Sequence, residues 1–317
     1  VSSVVMVIAA LGLGRLISLP FSGPISDKLG RRVSTVIGIS SYIIYFVGIA
    51  FSPNMYVAYV AALLGGIANS FLDTGIIPAC MEIMSKATGF ASILTKLFIS
   101  IGQLLLPFMI GFVAANNLSF RSLFLLMGAL LVVELILTLI VPMPAAPAAK
   151  SSSNASKEKI KLNAESIALI LIGFTCTSTF QLWLNCNQEF ARLAGMADPS
   201  KIQTYYSMGT IIAVLVTALL VSKYIKSVRF LIVYPLISVI MLIIVYVVQT
   251  PTICLIGGFV LGYSAAGGVL QLAVSTINDM FPFAKGRITS IIMMASSLAN
   301  YTILSLAGII TKNAGLQ

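Results

Sequence analysis

Histidine is absent, tryptophan occurs once, and only nine of the 317 residues are acidic. Charged residues of both signs make up 9% of the chain, where a soluble domain carries roughly 25%. Each shortage excludes something. Without histidine there is no imidazole base and no histidine-ligated metal. Four cysteines, Cys80, Cys176, Cys186 and Cys254, lie in or at the ends of apolar stretches without C-x-x-C spacing. They read as small buried residues, not as disulfides or metal ligands. No nucleophile–base pair, phosphate-cradling loop or metal-ligand set is present, so neither an enzyme nor a cofactor is expected. The net charge of +10 would suit nucleic acid only if the basic residues clustered on a soluble face, and they do not.

What the chain has instead is apolar length. It is 59% hydrophobic with a mean hydropathy of +1.05. Apolar runs fall at about 1–23, 33–52, 55–78, 88–114, 120–141, 166–190, 201–222, 229–249, 252–277 and 286–311. A bilayer is crossed by roughly 20 such residues, so the expectation is an all-α integral membrane protein with about ten transmembrane helices. Ser52-Pro53-Asn54, Asn116-Asn117, Thr250-Pro251 and Phe281-Pro282-Phe283 separate runs and end helices. The longest break, 142–165, is rich in Pro, Ala, Ser and Lys and reads as a flexible linker. Alternating the runs from a cytoplasmic loop at 27–32 puts thirteen basic residues inside: Lys28, Arg31, Arg32, Lys86, Lys150, Lys157, Lys159, Lys161, Lys223, Lys226, Arg229, Lys285 and Arg287. Four remain outside: Arg121, Arg192, Lys201 and Lys312. That bias sets the orientation. It turns the positive charge toward anionic lipid headgroups, with no nucleic-acid partner.

The segment Gly23-Pro24-Ile25-Ser26-Asp27-Lys28-Leu29-Gly30-Arg31-Arg32 joins the first two runs. Gly30 permits a tight turn, Asp27 can cap a helix end, and the three cations anchor the loop. The pattern Gly-x-x-x-Asp-Arg/Lys-x-Gly-Arg-Arg/Lys resembles the loop between helices 2 and 3 of the major facilitator superfamily. The resemblance implies two pseudo-symmetric helical halves, and this chain corresponds to helices 2–11 of twelve. The first and last helices would be missing through fragmentation or trimming. The halves would be 1–141 and 166–317, joined by the cytoplasmic linker 142–165. A repeat at an offset of 197 agrees: Gly12 with Gly209, Gly65 with Gly262, Ala68 with Ala265, Gly89 with Gly286, Ser100 with Ser297 and Gly111 with Gly308. Small residues at such positions let membrane helices approach closely.

Charge inside a bilayer is costly and calls for a function or a partner. Arg15, Asp73, Lys96 and Glu134 lie within apolar runs, and the economical reading is a mutually compensated cluster. Asp73, Arg15 and Lys96 are the expected proton-coupling set, with the proton affinity of Asp73 set by burial against the two cations. Glu134 is its weakest member. Polar stripes at helical spacing add candidate solute ligands: Asn69, Gln103, Gln181, Trp183, Asn185, Gln271 and Asn300. Gln103 and Asn300 are repeat equivalents and could face each other across the axis. Asp27, Arg31 and Arg32 are the expected gating residues. Residues 65–75 and 89–107 also resemble helices 4 and 5 of the fucose-permease-like sugar transporters, although Ile77 and Lys96 stand where those relatives often carry Asn and His. The resulting expectation is a monomeric secondary transporter in a bacterial cytoplasmic membrane. It would move a small sugar-like or carboxylate-like solute by alternating access, coupled to protons by symport. The alternative is drug or metabolite efflux by proton antiport. Ala61 and Ala62 stand where the drug antiporters usually carry an Arg, and Leu106-Pro107 replaces their Gly-Pro pair.

Overall fold

The computed structural model describes residues 2–144, 162–199, 201–223 and 225–313. Their regular structure is entirely helical. In chain order the helices are α1 (Ser2–Leu29), α2 (Arg31–Ala50), α3 (Met55–Ile83), α4 (Thr88–Ala115), α5 (Phe120–Ile140), α6 (Ala164–Leu193), α7 (Lys201–Lys223), α8 (Ser227–Val248), α9 (Pro251–Ser264), α10 (Val269–Met280) and α11 (Lys285–Asn313). Among the described residues, seven segments are by themselves long and apolar enough to cross a membrane, and α9 with α10 counts as one of them. The chain is a multi-pass helical membrane protein. The expected linker falls mostly at 145–161, outside the described residues.

The punctuation seen in the sequence fixes the helix ends. Asn54 accepts from the Val57 amide and Asn163 from the Ser166 amide, capping α3 and α6. Gly30 alone separates α1 from α2, at φ 97°, a region that costs a residue with a Cβ. Pro20 and Pro24 inside α1, Pro78 inside α3 and Pro235 inside α8 are tolerated as membrane helices commonly tolerate them.

One element differs from expectation. The apolar run 252–277 is two helices, broken at Ala265–Gly268. Gly267-Gly268 is the cause, since glycine is a poor helix former and Gly268 sits at φ 109°.

The chain forms two compact units. The first comprises 1–85, 105–162 and 278–297. In it α1 lies along α3, and α3 and α5 flank α2. A Cβ on Gly66 would overlap the Leu11 carbonyl, so these backbones are in direct contact. The second comprises 86–104, 163–277 and 298–317. Here α9 packs on α7 and α8, with Gly262 against the Tyr206 carbonyl. Its core holds Trp183, Ile202, Tyr206, Met241, Val245 and Leu261. Large apolar side chains such as Leu130, Ile136 and Leu139 on α5, and Leu236, Ile243 and Val247 on α8, point outward. An exposed apolar surface of that extent is a lipid-facing one.

Candidate functional site

In the first unit α1 and α3 bring one pair of opposite charges together. Arg15 Nη2 donates to Asp73 Oδ2 at 2.8 Å. The same nitrogen approaches Met293 Sδ at 3.3 Å. The pair is held from behind. Ser70 Oγ donates to the Arg15 carbonyl at 2.9 Å, and Ser18 Oγ donates to Ser70 Oγ at 2.8 Å. Arg15 Nε is buried and has no hydrogen-bond partner. Each charge therefore carries the other; with the two side chains 27% and 22% exposed, removing either leaves a partly solvated charge, a loss below the about 3–5 kcal/mol of a fully buried pair.

One turn before Asp73 on the same helix, Asn69 opens on a cavity of about 460 Å³. Tyr42, Tyr45, Phe46, Leu72, Leu131 and Glu134 also line it. Glu134 and Asn69 thus share a cavity, and Glu134 has no ion-pair partner among the described residues. Lys96 belongs to the second unit, and none of the ion pairs among the described residues includes it. Of the four embedded charges, the contact formed in the structure is that between Arg15 and Asp73.

The remaining candidate ligands fall on different faces of the second unit. On α6, Asn185 Nδ2 donates to the Gln181 carbonyl at 2.8 Å on an exposed face. Trp183 and Asn187, one turn apart, lie on the buried face instead, and the Trp183 Nε1 and both Asn187 amide atoms lack partners. Gln271 is partly buried on α10, and Asn300 is partly buried on α11 with an unpartnered Oδ1. The expected pairing of Gln103 with Asn300 involves a side chain outside the described residues.

The expected gating residues form a tight network in the first unit. The Asp27 carboxylate accepts from the Gly286 amide at 2.8 Å and the Arg287 amide at 2.9 Å, the first-turn donors of α11. It thereby meets both the unpaired N–H groups and the positive end of that helix. Arg31, fully buried, donates to Asp27 Oδ1 at 2.9 Å, Ser26 Oγ at 2.8 Å and Glu82 Oε1 at 2.7 Å. Arg32 turns away and donates to the Val141 carbonyl. Sequence reasoning missed Glu82 as a partner here and Met293 as a contact of Arg15, and did not single out Arg287, whose Nε lies 3.5 Å from Asp27 Oδ2. An acid ending one helix beside a basic loop was the available signal for Glu82.

Together these features define a polytopic helical membrane protein with an ion pair embedded among its spans. Residues 1–310 match the Major Facilitator Superfamily, and the chain belongs to that family of transporters. It is 36% identical over its whole length to the inner membrane transport protein YdiN of Escherichia coli K12, covering 76% of that protein. It is 35% identical to an MFS-type transporter, YfkL, of Bacillus subtilis 168, covering 98% of this chain and 80% of the relative. In structure it resembles FucP in its outward conformation, with a TM-score of 0.83 at 13% identity over 98% of this chain and 83% of that one. A shorter match, 29% identity over 140 residues, is to the multidrug efflux pump PmrA of Streptococcus pneumoniae.

Proposed function

We propose that this protein is a proton-coupled symporter of a small polar solute in a bacterial cytoplasmic membrane, working by alternating access. The observation that carries the reading is the Arg15–Asp73 pair, 2.8 Å apart within the membrane-spanning helices. A carboxylate that is paired in one state and protonated in another can exchange its cation for a proton, and that exchange links proton entry to a conformational change. The polar atoms without partners on Trp183, Asn187 and Asn300 are available to a hydroxylated or carboxylated cargo. Asp27 and Arg31 hold the gate in this reading.

The test is Asp73→Asn in proteoliposomes under an inward proton gradient. Uphill uptake should be lost while solute exchange survives. Concentrative uptake in the mutant would remove Asp73 from coupling. Efflux of drugs or metabolites by antiport is the second reading, favoured by the partial match to a multidrug efflux pump and by the mostly apolar cavity beside Glu134. Lowered dye accumulation in expressing cells would support it over symport.

A further inference from the structure

Glu134 is a carboxylate for which the described residues provide no cation. It lies on α5, one of the spanning segments, about 9 Å before the helix end at Ile140. None of the ion pairs among the described residues includes it. The described cations of its unit are engaged or stand elsewhere. Arg15 holds Asp73, and Arg31 and Arg287 hold Asp27. Arg32 donates to the Val141 carbonyl. Lys28, Arg121 and Lys285 stand at helix ends, and Arg121 is about 20 Å from Glu134 along the same helix.

What Glu134 faces instead is the cavity of about 460 Å³ enclosed by α1, α2, α3 and α5. All of its lining residues belong to the first unit. Small-molecule sites occupy roughly 300–1,000 Å³, so the space is of ligand size. Tyr42, Tyr45 and Phe46, on successive turns of α2, make one wall, with ring centroids 5.0–6.1 Å apart. These rings are seated. A Cβ on Gly65 would stand 3.0 Å from the Tyr45 ring, and Phe46 lies 6.2 Å from Phe124 of α5. Asn69 enters from α3, and the rest of the lining is Leu and Met. The two tyrosine hydroxyls and the Asn69 amide make no hydrogen bond among the described residues. Leu130 lines the cavity and is 54% exposed on the lipid-facing side of α5, so a ligand dissolved in the bilayer can reach it.

The walls select a charge and a shape. Aromatic faces attract a cation within about 6 Å, and a carboxylate at membrane depth calls for one. Rings and carboxylate therefore ask for the same ligand, one positive charge on an apolar body. A sugar would turn most of its hydroxyls toward Leu and Met and leave them unpaired. A zwitterionic phospholipid headgroup would bring a phosphate for which no cation lines the cavity.

We infer that this cavity is a binding site for a lipophilic organic monocation, with Glu134 as its counter-charge and Tyr42, Tyr45 and Phe46 as its aromatic wall. The site goes beyond the symport reading, which rests on Asp73, and stands without it.

The experiment is equilibrium dialysis of the full-length transporter in neutral detergent against radiolabelled phenylpropyl-trimethylammonium, with empty micelles subtracted. Binding should saturate near one probe per protein. The uncharged tert-butyl isostere, in which carbon replaces the nitrogen, should fail to compete at tenfold excess. Glu134→Gln, which loses no ion pair within the protein, should weaken binding at least tenfold while keeping the melting temperature. Phe46→Leu should weaken it as well, and Tyr42→Phe, which keeps the ring, should retain it. Leu130→Trp, which fills the cavity from α5, should also abolish binding and serves if the Gln variant fails to fold. Absence of saturable binding overturns the site, as does equal competition by the isostere or undiminished binding in Glu134→Gln. Displacement by neutral monosaccharides would assign the cavity to a hydroxylated ligand. Displacement by added phosphatidylethanolamine would assign it to a lipid headgroup. Either overturns the free monocation.

Discussion

Arg31 is fully buried, yet it is charged, and two carboxylates and a serine hydroxyl satisfy it. A lysine at this position keeps the charge but not the planar fork that reaches Glu82 through both Nε and Nη2. Arg31→Lys should therefore lower the apparent melting temperature of the purified protein, by an amount matching a loss of about 1.5–3 kcal/mol. Asp27→Ala should cost more. It removes the acceptor for the Gly286 and Arg287 amides at once and leaves Arg31 with Glu82 as its one carboxylate and Ser26 as its other partner. Asp27→Asn keeps an oxygen for one amide and should fall between the two. If Asp27→Ala melted with the wild type, the carboxylate would not be holding α11. This network shows what a sequence can and cannot reveal about a residue. The turn at Gly30 and the charges around it were legible because they are local. The α11 partners of Asp27 were not, because they lie about 260 positions away and donate through backbone amides.

Helices can come close enough for that contact because glycine faces glycine. A Cβ on Gly23 would stand 2.6 Å from the Gly286 carbonyl and 2.6 Å from Ser290 Oγ, and one on Gly286 would stand 2.7 Å from Asp27 Oδ1. Gly286→Ala should thus cost about 1–3 kcal/mol through forced separation and reduce transport. Gly102→Ala, where a Cβ would meet nothing within 4 Å, should be neutral or stabilise by about 0.5–1 kcal/mol. Melting curves of the two variants side by side check both. The offset-197 repeat made part of this legible, since Gly65 and its equivalent Gly262 are both crowded. It overreached elsewhere. Gly209 meets the Phe259 carbonyl, but Gly12 faces open space. The α9–α10 break escaped because Ala265-Ala266-Gly267-Gly268 is as apolar as its surroundings, and hydropathy does not register backbone dihedrals. The repeat also departs from symmetry at the Asp27 network. Gly89 packs on Val221 and Ser227 as Gly286 packs on Gly23, yet the equivalent of Asp27 is Tyr224. The carboxylate cap seen on α11 thus has no sequence equivalent at Gly89.

At the scale of the whole chain, the same few charges that are scarce within the spans set how the protein sits in its bilayer. Lipid accepts the outward leucines, isoleucines and valines of α5 and α8 without regard to direction, so the hydrophobic effect does not choose an orientation. The basic loops are expected to, because loops rich in Lys and Arg are retained on the cytoplasmic side. With thirteen basic residues assigned to one side and four to the other by alternation, inversion would require moving the Lys28–Arg31–Arg32 loop and the basic stretch at 150–161 across together. Lys28 is exposed at the end of α1 and Lys201 is exposed at the start of α7, so each can carry a reporter. In a background with the four native cysteines replaced by serine or alanine, Lys28→Cys should react with an impermeant maleimide only in inside-out vesicles. Lys201→Cys should react in intact spheroplasts. The opposite pattern would invert every inside and outside assignment. It would place the Asp27–Arg31 network on the outer side of the membrane.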